Sequence, residues 1–191
     1  SVRFESGDSS FLGFTPSSAG NRKTMTFSAW VKRSKLGEMR FFGADSDNYI
    51  AFSTTNGIEM NLRNGGSGSN VVWHSNRKFK DLSAWYHIMF AIDTTQGTDT
   101  NRVKLYVNGT QITSFNAAAY PGQNNDMNSF NNAEGQYIAK FGSNSHFSGY
   151  MAEVNFIDGT ALAPSSFGET KNGIWIPIDT SGLTFGTNGF R

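Results

Sequence analysis

The sequence predicts an all-β fold, a two-sheet antiparallel β-sandwich of the jelly-roll type. Apolar and polar residues alternate with a period of two along many short segments, and almost no segment has the helical period of 3.6. Turns rich in Gly, Ser, Asn and Asp, such as "NGGSGSN" and "PGQNNDMN", separate these segments. With 37% hydrophobic residues and 17 Phe, the chain has the apolar surface for one sizeable core. Many short strands joined by such turns are typical of a sandwich.

Four segments show the clearest alternation, namely "MTFSAWVKR", "WYHIMFAID", "RVKLYVNGTQI" and "YMAEVNFID". The predicted core faces are Phe27, Ala29 and Val31; Tyr86, Ile88, Phe90 and Ile92; Val103, Leu105 and Val107; and Tyr150, Ala152, Val154 and Phe156. Asn108-Gly109 predicts a two-residue hairpin turn. Further predicted strands are "SVRFE", "MRFFGA", "NYIAFSTT", "IEMNLRN", "NVVWHS" and "GQYIAKFG". Pro164 and the two serines after it predict a single short helical turn.

Length and composition limit the function classes. The 191 residues contain no internal repeat and no long linker, which predicts one domain over 1–191. A net charge of +1 without a basic tail argues against nucleic acid as a partner. No apolar run approaches the ~18 residues of a membrane span, so we expect no membrane insertion. The chain has no Cys and begins at Ser1 without Met. Processing and origin in a longer protein are both open explanations of that start.

Glu153 and Asp158 are the acids that most resemble a catalytic pair. Glycosidases hold their two carboxyl groups roughly 5–9.5 Å apart. On a continuous strand these two residues would be roughly 16 Å apart and on opposite faces, and Asp158-Gly159 is typical of a turn. The remaining acids stand alone in sequence, although pairing through the fold stays open. We therefore expect no catalytic residues, and glycoside hydrolysis is the third and least favoured function.

The histidines do not predict a metal site. His74, His87 and His146 are scattered, without the short spacing that a zinc site uses. His87 shares its strand face with Trp85 and Met89. This position favours a structural histidine held by hydrogen bonds.

Three long segments resemble a known family. They are "SVRFESGDSSFLGFTPSSAGNRKTMTFSAWVKRS", "SAWYHIMFAIDTTQGTDTNRVKLYVNGTQITSF" and "FSGYMAEVNFIDGTALAPSSFGET", with "FGTNGF" near the end. Their order resembles the laminin-G-like, concanavalin A-like jelly roll, and most closely the version in structural proteins of tailed bacteriophages, notably marine ones. Such domains usually continue with another strand after the final "NGF", whereas this chain stops at Arg191. The resemblance implies a domain on the virion surface, on the capsid or the tail.

The resemblance also directs attention to calcium and glycans. Laminin-G-like domains often bind calcium at one rim, and the nearest cue is Asp45, Asp47 and Asn48 in "ADSDNY". An Asx-rich turn is the favoured alternative there, and no other cofactor is expected. Lectin-like sandwiches hold sugars on aromatic side chains beside polar loops. The candidates for glycan contact are Trp73, Tyr120 and Trp175, each of which could instead fill a face of the sandwich.

The function that follows is a non-enzymatic virion structural protein that decorates the capsid or forms part of the tail or fibre. Its expected partners are other virion proteins and copies of itself. The resemblance leaves open whether host surface polysaccharide is a further partner. The alternative is a carbohydrate-binding module or adhesin whose main role is glycan recognition. Both terminal segments, "SVRFES" and "LTFGTNGFR", alternate in polarity. We expect them to lie near each other at an edge used for packing on a neighbour.

Overall fold

The computed structural model describes residues 1–44, 48–63, 70–141 and 145–191. Two antiparallel sheets form a sandwich, which confirms the predicted fold class. The six-stranded sheet has the order β1-β15-β3-β8-β9-β10. Its strands are β1 (Val2–Phe4), β3 (Thr24–Arg33), β8 (Tyr86–Asp93), β9 (Val103–Val107), β10 (Thr110–Ile112) and β15 (Gly149–Asp158).

The seven-stranded sheet has the order β11-β7-β6-β5-β4-β12-β2. Its strands are β2 (Leu12–Phe14), β4 (Met39–Ala44), β5 (Asn48–Phe52), β6 (Ile58–Arg63), β7 (Asn70–Ser75), β11 (Phe115–Ala118) and β12 (Gln136–Ile138). Two short ribbons are β13 (Lys140–Phe141) with β14 (Ser145–His146), and β16 (Gly168–Lys171) with β17 (Ile174–Pro177).

Helical structure in the described ranges is restricted to three single turns of 3₁₀ helix. They are Ser6–Asp8, Asp99–Asn101 and Pro164–Ser166. The last one is the short turn that the sequence predicts at Pro164, where proline fixes the first helical φ. None of the helical segments in these ranges has the length and apolar character needed to cross a bilayer.

The main core lies between the two sheets. Six of the seven residues that best represent its predicted faces are at most 3% exposed in one cluster: Phe27, Val31, Phe90, Leu105, Val107 and Phe156. The seventh, Val154, is partly buried and packs against that cluster. The hairpin between β9 and β10 is also confirmed. Asn108 and Gly109 form its two-residue loop, with φ of 50° and 76°, both in the left-handed region that this turn requires.

The prediction for "YMAEVNFID" is wrong in its first half. Met151 is buried in the core, whereas Tyr150 is 38% exposed and Ala152 is paired with Trp30 on the outer side. The cause is a β-bulge in β15 at Glu153, whose φ is 46°. A bulge adds one residue to a strand and exchanges the faces of the residues on either side of it.

The segment that follows β15 covers the outer face of the six-stranded sheet. Met89, Ala91, Ile157 and Phe167 form a second buried cluster there, against which Leu162, Leu183 and Phe185 also pack. Both faces of the central strands are therefore buried. This explains why residues on the faces opposite the predicted core faces, such as Thr26, Ser28 and His87, are also buried.

The two ends of the chain meet at β15. β1 pairs with β15, and Phe190 forms an isolated antiparallel bridge with Phe156 of the same strand. Val2, Phe4 and Phe190 line one apolar groove between the free edges of β1 and β2. The predicted proximity of the termini is confirmed.

Candidate functional site

A row of side chains crosses the outer face of the seven-stranded sheet. Arg40 of β4 is paired with Ala51 of β5, Ala51 with Glu59 of β6, and Glu59 with His74 of β7. Neighbouring residues on β5 and β6 point into the core, so these four share the opposite face. We call Arg40, Glu59 and His74, together with Tyr49 and Asn61, the polar row.

Arg40 links Glu38 to Glu59 of the polar row. Its guanidinium forms an ion pair with Glu38 and lies 3.8 Å (Nη1 to Oε1) from Glu59. The same guanidinium covers the Tyr49 ring at 3.5 Å from the centroid. Arg40 can cross β5 in this way because Ala51, directly opposite it, has no side chain beyond Cβ. Glu38 and Glu59, which stand alone in sequence, are thus brought to one cation by the fold.

Tyr49 and Asn61 form the next cross-strand pair on this face. The Tyr49 hydroxyl donates a hydrogen bond to Glu59 Oε1. Burial raises the pKa of Tyr49, and the hydrogen bond to Glu59 raises it further. The hydroxyl therefore keeps its proton at neutral pH and fixes one oxygen of Glu59, leaving the other oxygen directed to His74.

Glu59 and His74 form the more exposed end of the polar row. Glu59 Oε2 lies 3.5 Å from His74 Nδ1, and their side chains are 14% and 37% exposed. Carboxylate, imidazole and amide groups here offer both hydrogen-bond donors and acceptors. A ligand rich in hydroxyl groups matches this mixture, because each hydroxyl can donate and accept. Glu38 and Glu59 both lie against Arg40. Their carboxylates are hydrogen-bond acceptors that the hydroxyl groups of such a ligand can use.

The sequence contained a signal for this surface. Tyr49 in "NYIAF", and Glu59 and Asn61 in "IEMNL", occupy the polar positions of alternating strands. Their contact could not be read from sequence, because it depends on the order and register of β4 to β7.

Among the predicted glycan contacts, Trp73 is corrected to a core residue. It is 2% exposed, its ring packs edge-on against Phe115 and Tyr120, and its indole N–H donates to the Ala119 carbonyl. A ring buried in this way has no free face for a sugar. Tyr120 is half-buried at the rim of the same cluster.

Trp175 lies elsewhere, on the covered outer face of the six-stranded sheet. It is half-buried, and its ring is stacked on His87 with centroids 5.9 Å apart. The three predicted aromatic residues therefore do not form one site. Glycan contact by Tyr120 or Trp175 stays a prediction.

Two of the three calcium candidates, Asp45 and Asp47, lie outside the described residues. Asn48 is fully buried at the start of β5. In the described part of the chain, no group of three or more His, Asp or Glu side chains is arranged to hold a metal ion.

Glu153 and Asp158 have separate structural settings. Glu153 is exposed at the bulge. The Asp158 carboxylate accepts hydrogen bonds from the Asn21 backbone N–H (2.8 Å), the Asn131 amide (2.6 Å) and the Asn188 backbone N–H (3.2 Å). Asp158 thereby ties three loops together. For Asp158, this role agrees with its interpretation as part of the scaffold.

The two-sheet antiparallel sandwich is consistent with a jelly roll. Residues 6–165 match the family model of the concanavalin A-like lectin/glucanases superfamily, laminin-G type, and the chain belongs to this superfamily. The family part of the sequence resemblance is thereby confirmed. A search of curated proteins found no match.

Solved structures with the same fold differ widely in sequence. A SAP-like pentraxin from Limulus polyphemus is 15% identical with a TM-score of 0.56, covering 80% of this chain and 71% of the pentraxin. A candidate carbohydrate-binding protein from Bacteroides ovatus is 17% identical with a TM-score of 0.59, covering 92% of this chain and 51% of its own. Domains LG4-5 of the mouse laminin α1 chain are 10% identical with a TM-score of 0.50, covering 76% and 38%. At these identities the likeness concerns the fold.

Proposed function

We propose that this protein is a non-catalytic carbohydrate-binding domain that holds glycans on the polar row of the seven-stranded sheet. The observation that carries the proposal is the Arg40–Tyr49–Glu59–His74 network, assembled on one outer face from four strands. Such a network is pre-organised, since Glu59 is already fixed by Tyr49 before a ligand arrives. Pre-organised polar groups lower the entropic cost of binding.

The superfamily and the candidate carbohydrate-binding protein from Bacteroides ovatus support this proposal at the level of fold. The non-catalytic part rests on the roles of the acids. Glu38 and Glu59 are paired with Arg40, and Asp158 holds loops. Sugar release from algal or bacterial polysaccharides that disappears in Glu59→Gln or Glu153→Gln would overturn this part.

The binding test is a glycan array probed with the wild-type chain and three variants. Glu59→Gln and His74→Ala remove a charge or a ring from the polar row. Gln111→Ala, an exposed residue of β10 in the other sheet, is the control. A hydrogen bond to a charged group contributes about 1.5–3 kcal/mol, so Glu59→Gln should weaken binding roughly tenfold or more. Equal binding by all four proteins would contradict the proposal.

We propose as a second function that the domain is a structural subunit on the surface of a tailed-phage particle, on the capsid or the tail. The quoted segments that resemble phage virion domains support it, and so does the apolar groove between β1 and β2. Val2 and Leu12 in this groove are 50% and 54% exposed, and both strands lie at free sheet edges. Exposed apolar edge strands are ready to pair with another chain.

The occupant of this groove that we propose is a second copy of the chain. Antiparallel pairing of two β1 strands centred on Phe4 would place Arg3 of one copy opposite Glu5 of the other. Both residues are already ion-paired within one chain at 3.3 Å, which shows that they share a side of the strand. The edge is therefore complementary to itself in charge as well as in polarity.

Sedimentation analysis of charge variants tests this assembly. Arg3→Glu and Glu5→Arg should each weaken dimerisation, and the double variant should restore it, since the swapped pair regains opposite charges. A wild-type chain that stays monomeric at all concentrations would contradict the pairing. Location and copy number in an intact particle would then test the virion role itself.

A further inference from the structure

A second concave site lies on the opposite side of the molecule from the polar row. It is a cavity of about 260 Å³ on the outer face of the six-stranded sheet. Strands β8 and β9 form its floor, and the segment after β15 forms one wall. Its lining residues include Asp93, Lys104, Tyr106 and Leu162.

The cavity exists because small and large residues are placed opposite each other. Ala91 faces Lys104 across the β8–β9 pair, and Ala91 has no side chain beyond Cβ to fill the space. The wall is held in place by Thr26, whose hydroxyl donates to the Thr160 carbonyl (2.8 Å) and accepts from the Leu162 N–H (2.9 Å). The site is therefore formed without a ligand.

Asp93 supplies a fixed acceptor at the rim. Its carboxylate receives hydrogen bonds from the Thr95 N–H (3.0 Å), the Thr95 hydroxyl (2.6 Å) and the Gln96 amide (2.6 Å). Burial opposes ionisation, but these hydrogen bonds and the charge of Lys104 outweigh it and lower the pKa of Asp93. Asp93 is thus a charged group held in one orientation.

Lys104 supplies the complementary donor. It is half-buried in the cavity lining, and it forms no ion pair or hydrogen bond with any residue in the described ranges. The hydroxyl of Tyr106 is likewise without a hydrogen bond to those residues. The charge of Lys104 acts on Asp93 across the cavity, and its three N–H donors remain available to a ligand that accepts hydrogen bonds.

We propose that this cavity binds a single uncharged sugar residue, as a second glycan site independent of the polar row. A sugar hydroxyl can accept from Lys104 while a neighbouring hydroxyl donates to Asp93, and the Tyr106 ring and Leu162 contact the C–H face. The ligand is uncharged because Asp93 and Lys104 already balance each other, and an acidic sugar would bring its carboxylate close to Asp93. The volume lies just below the ~300–1,000 Å³ of drug-sized ligand sites, which suits one ring.

Two sites on opposite sheets give the domain a property that one site lacks. A chain with both sites can bridge two glycan strands, or bind two points of one branched glycan with increased avidity. The inference does not rest on the function proposed for the polar row, because no residue is shared by the two sites.

The test is a nuclear magnetic resonance titration of the nitrogen-15-labelled full chain with methyl β-D-glucopyranoside and methyl β-D-galactopyranoside, and with sodium galacturonate. A neutral glycoside should shift the amide signals of Lys104, Tyr106 and Leu162. Lys104→Met should weaken this binding about tenfold or more. Lys80→Met, the same charge change at an exposed position, should leave it unchanged.

Three outcomes would overturn the inference. The first is the absence of shifts at the cavity with both neutral glycosides, including the case in which shifts appear only around Glu59 and His74. The second is tighter binding of galacturonate than of galactoside. The third is unchanged affinity in Lys104→Met, whose spectrum and unfolding temperature show whether the variant is folded.

Discussion

The indole N–H of Trp175 donates a 3.0 Å hydrogen bond to Nδ1 of His87, and the two rings are stacked. Since Nδ1 accepts, the proton of the neutral imidazole is on Nε2, which lies 2.8 Å from the Ser28 hydroxyl. His87 is fully buried, and burial lowers its pKa to about 4. The β16–β17 ribbon is thus attached to the six-stranded sheet through a histidine that must remain neutral, which agrees with the structural role predicted for His87.

This arrangement predicts a loss of stability in acid. An unfolded chain protonates His87 near pH 6.5, whereas the folded chain resists protonation down to about pH 4. The contribution is therefore complete above pH 6.5 and is lost as the pH falls from there through 4. Between pH 7 and pH 5 the free energy of unfolding should fall by about 2 kcal/mol from this group. Urea unfolding of wild type and His87→Gln at both pH values measures the difference. An equal fall in the variant would contradict the assignment to His87.

Gly109→Ala should destabilise the hairpin and displace Trp175. Gly109 has φ of 76°, and an added Cβ would lie 2.6 Å from the Trp175 ring. The left-handed conformation alone costs a non-glycine residue roughly 1–2 kcal/mol, and the clash adds to it. Urea unfolding and tryptophan fluorescence would measure both effects. Gly97→Ala is the control, because no atom lies within 4 Å of its added Cβ. Equal stability of the two variants would refute this explanation.

Arg33 should be among the most sensitive positions of the chain. Its side chain is buried, and its guanidinium donates to the Phe79 carbonyl (2.7 Å), the Gly37 carbonyl (2.8 Å) and Asn56 Oδ1 (3.0 Å). Arg33→Met leaves three acceptors without their charged donor and should lower the free energy of unfolding by at least about 3 kcal/mol.

Two further variants complete the Arg33 experiment. Arg33→Lys keeps the charge but cannot reach three acceptors with one nitrogen. Its free energy of unfolding should therefore lie between those of wild type and Arg33→Met. Arg191→Met, whose side chain is 52% exposed, should change stability by about 0.5 kcal/mol or less. Equal effects of Arg33→Met and Arg191→Met in urea unfolding would show that the buried hydrogen bonds contribute little.

The alternation of polarity was sufficient to predict the fold and most of the core, because most of the buried strand faces follow the period of two. Asn108-Gly109 predicted its hairpin turn because Asn and Gly are the residues that most readily adopt the left-handed conformation the turn requires. The bulge at Glu153 was not visible, since a left-handed glutamate has no distinctive sequence signal. It exchanged Tyr150 and Ala152 for Met151 on the core side.

The candidate sites were harder to predict than the fold. Trp73 is adjacent to a basic loop in sequence, yet its position on the inner face of β7 makes it a core residue. Glu59 and His74 are separated by 15 positions in sequence and meet only through the β6–β7 register. Contacts that depend on which strands are neighbours cannot be derived from local patterns. The sequence therefore predicted the class of protein better than the residues of its site.

The central claim is that the polar row binds glycans. Its most direct test is a titration of the nitrogen-15-labelled chain with the best glycan from the array, followed by residue-specific spectra. We predict that the signals of Arg40, Glu59 and His74 shift in saturable fashion, and that Glu59→Gln weakens this response while Gln111→Ala does not. Saturable glycan binding that leaves all three signals unmoved would contradict the account.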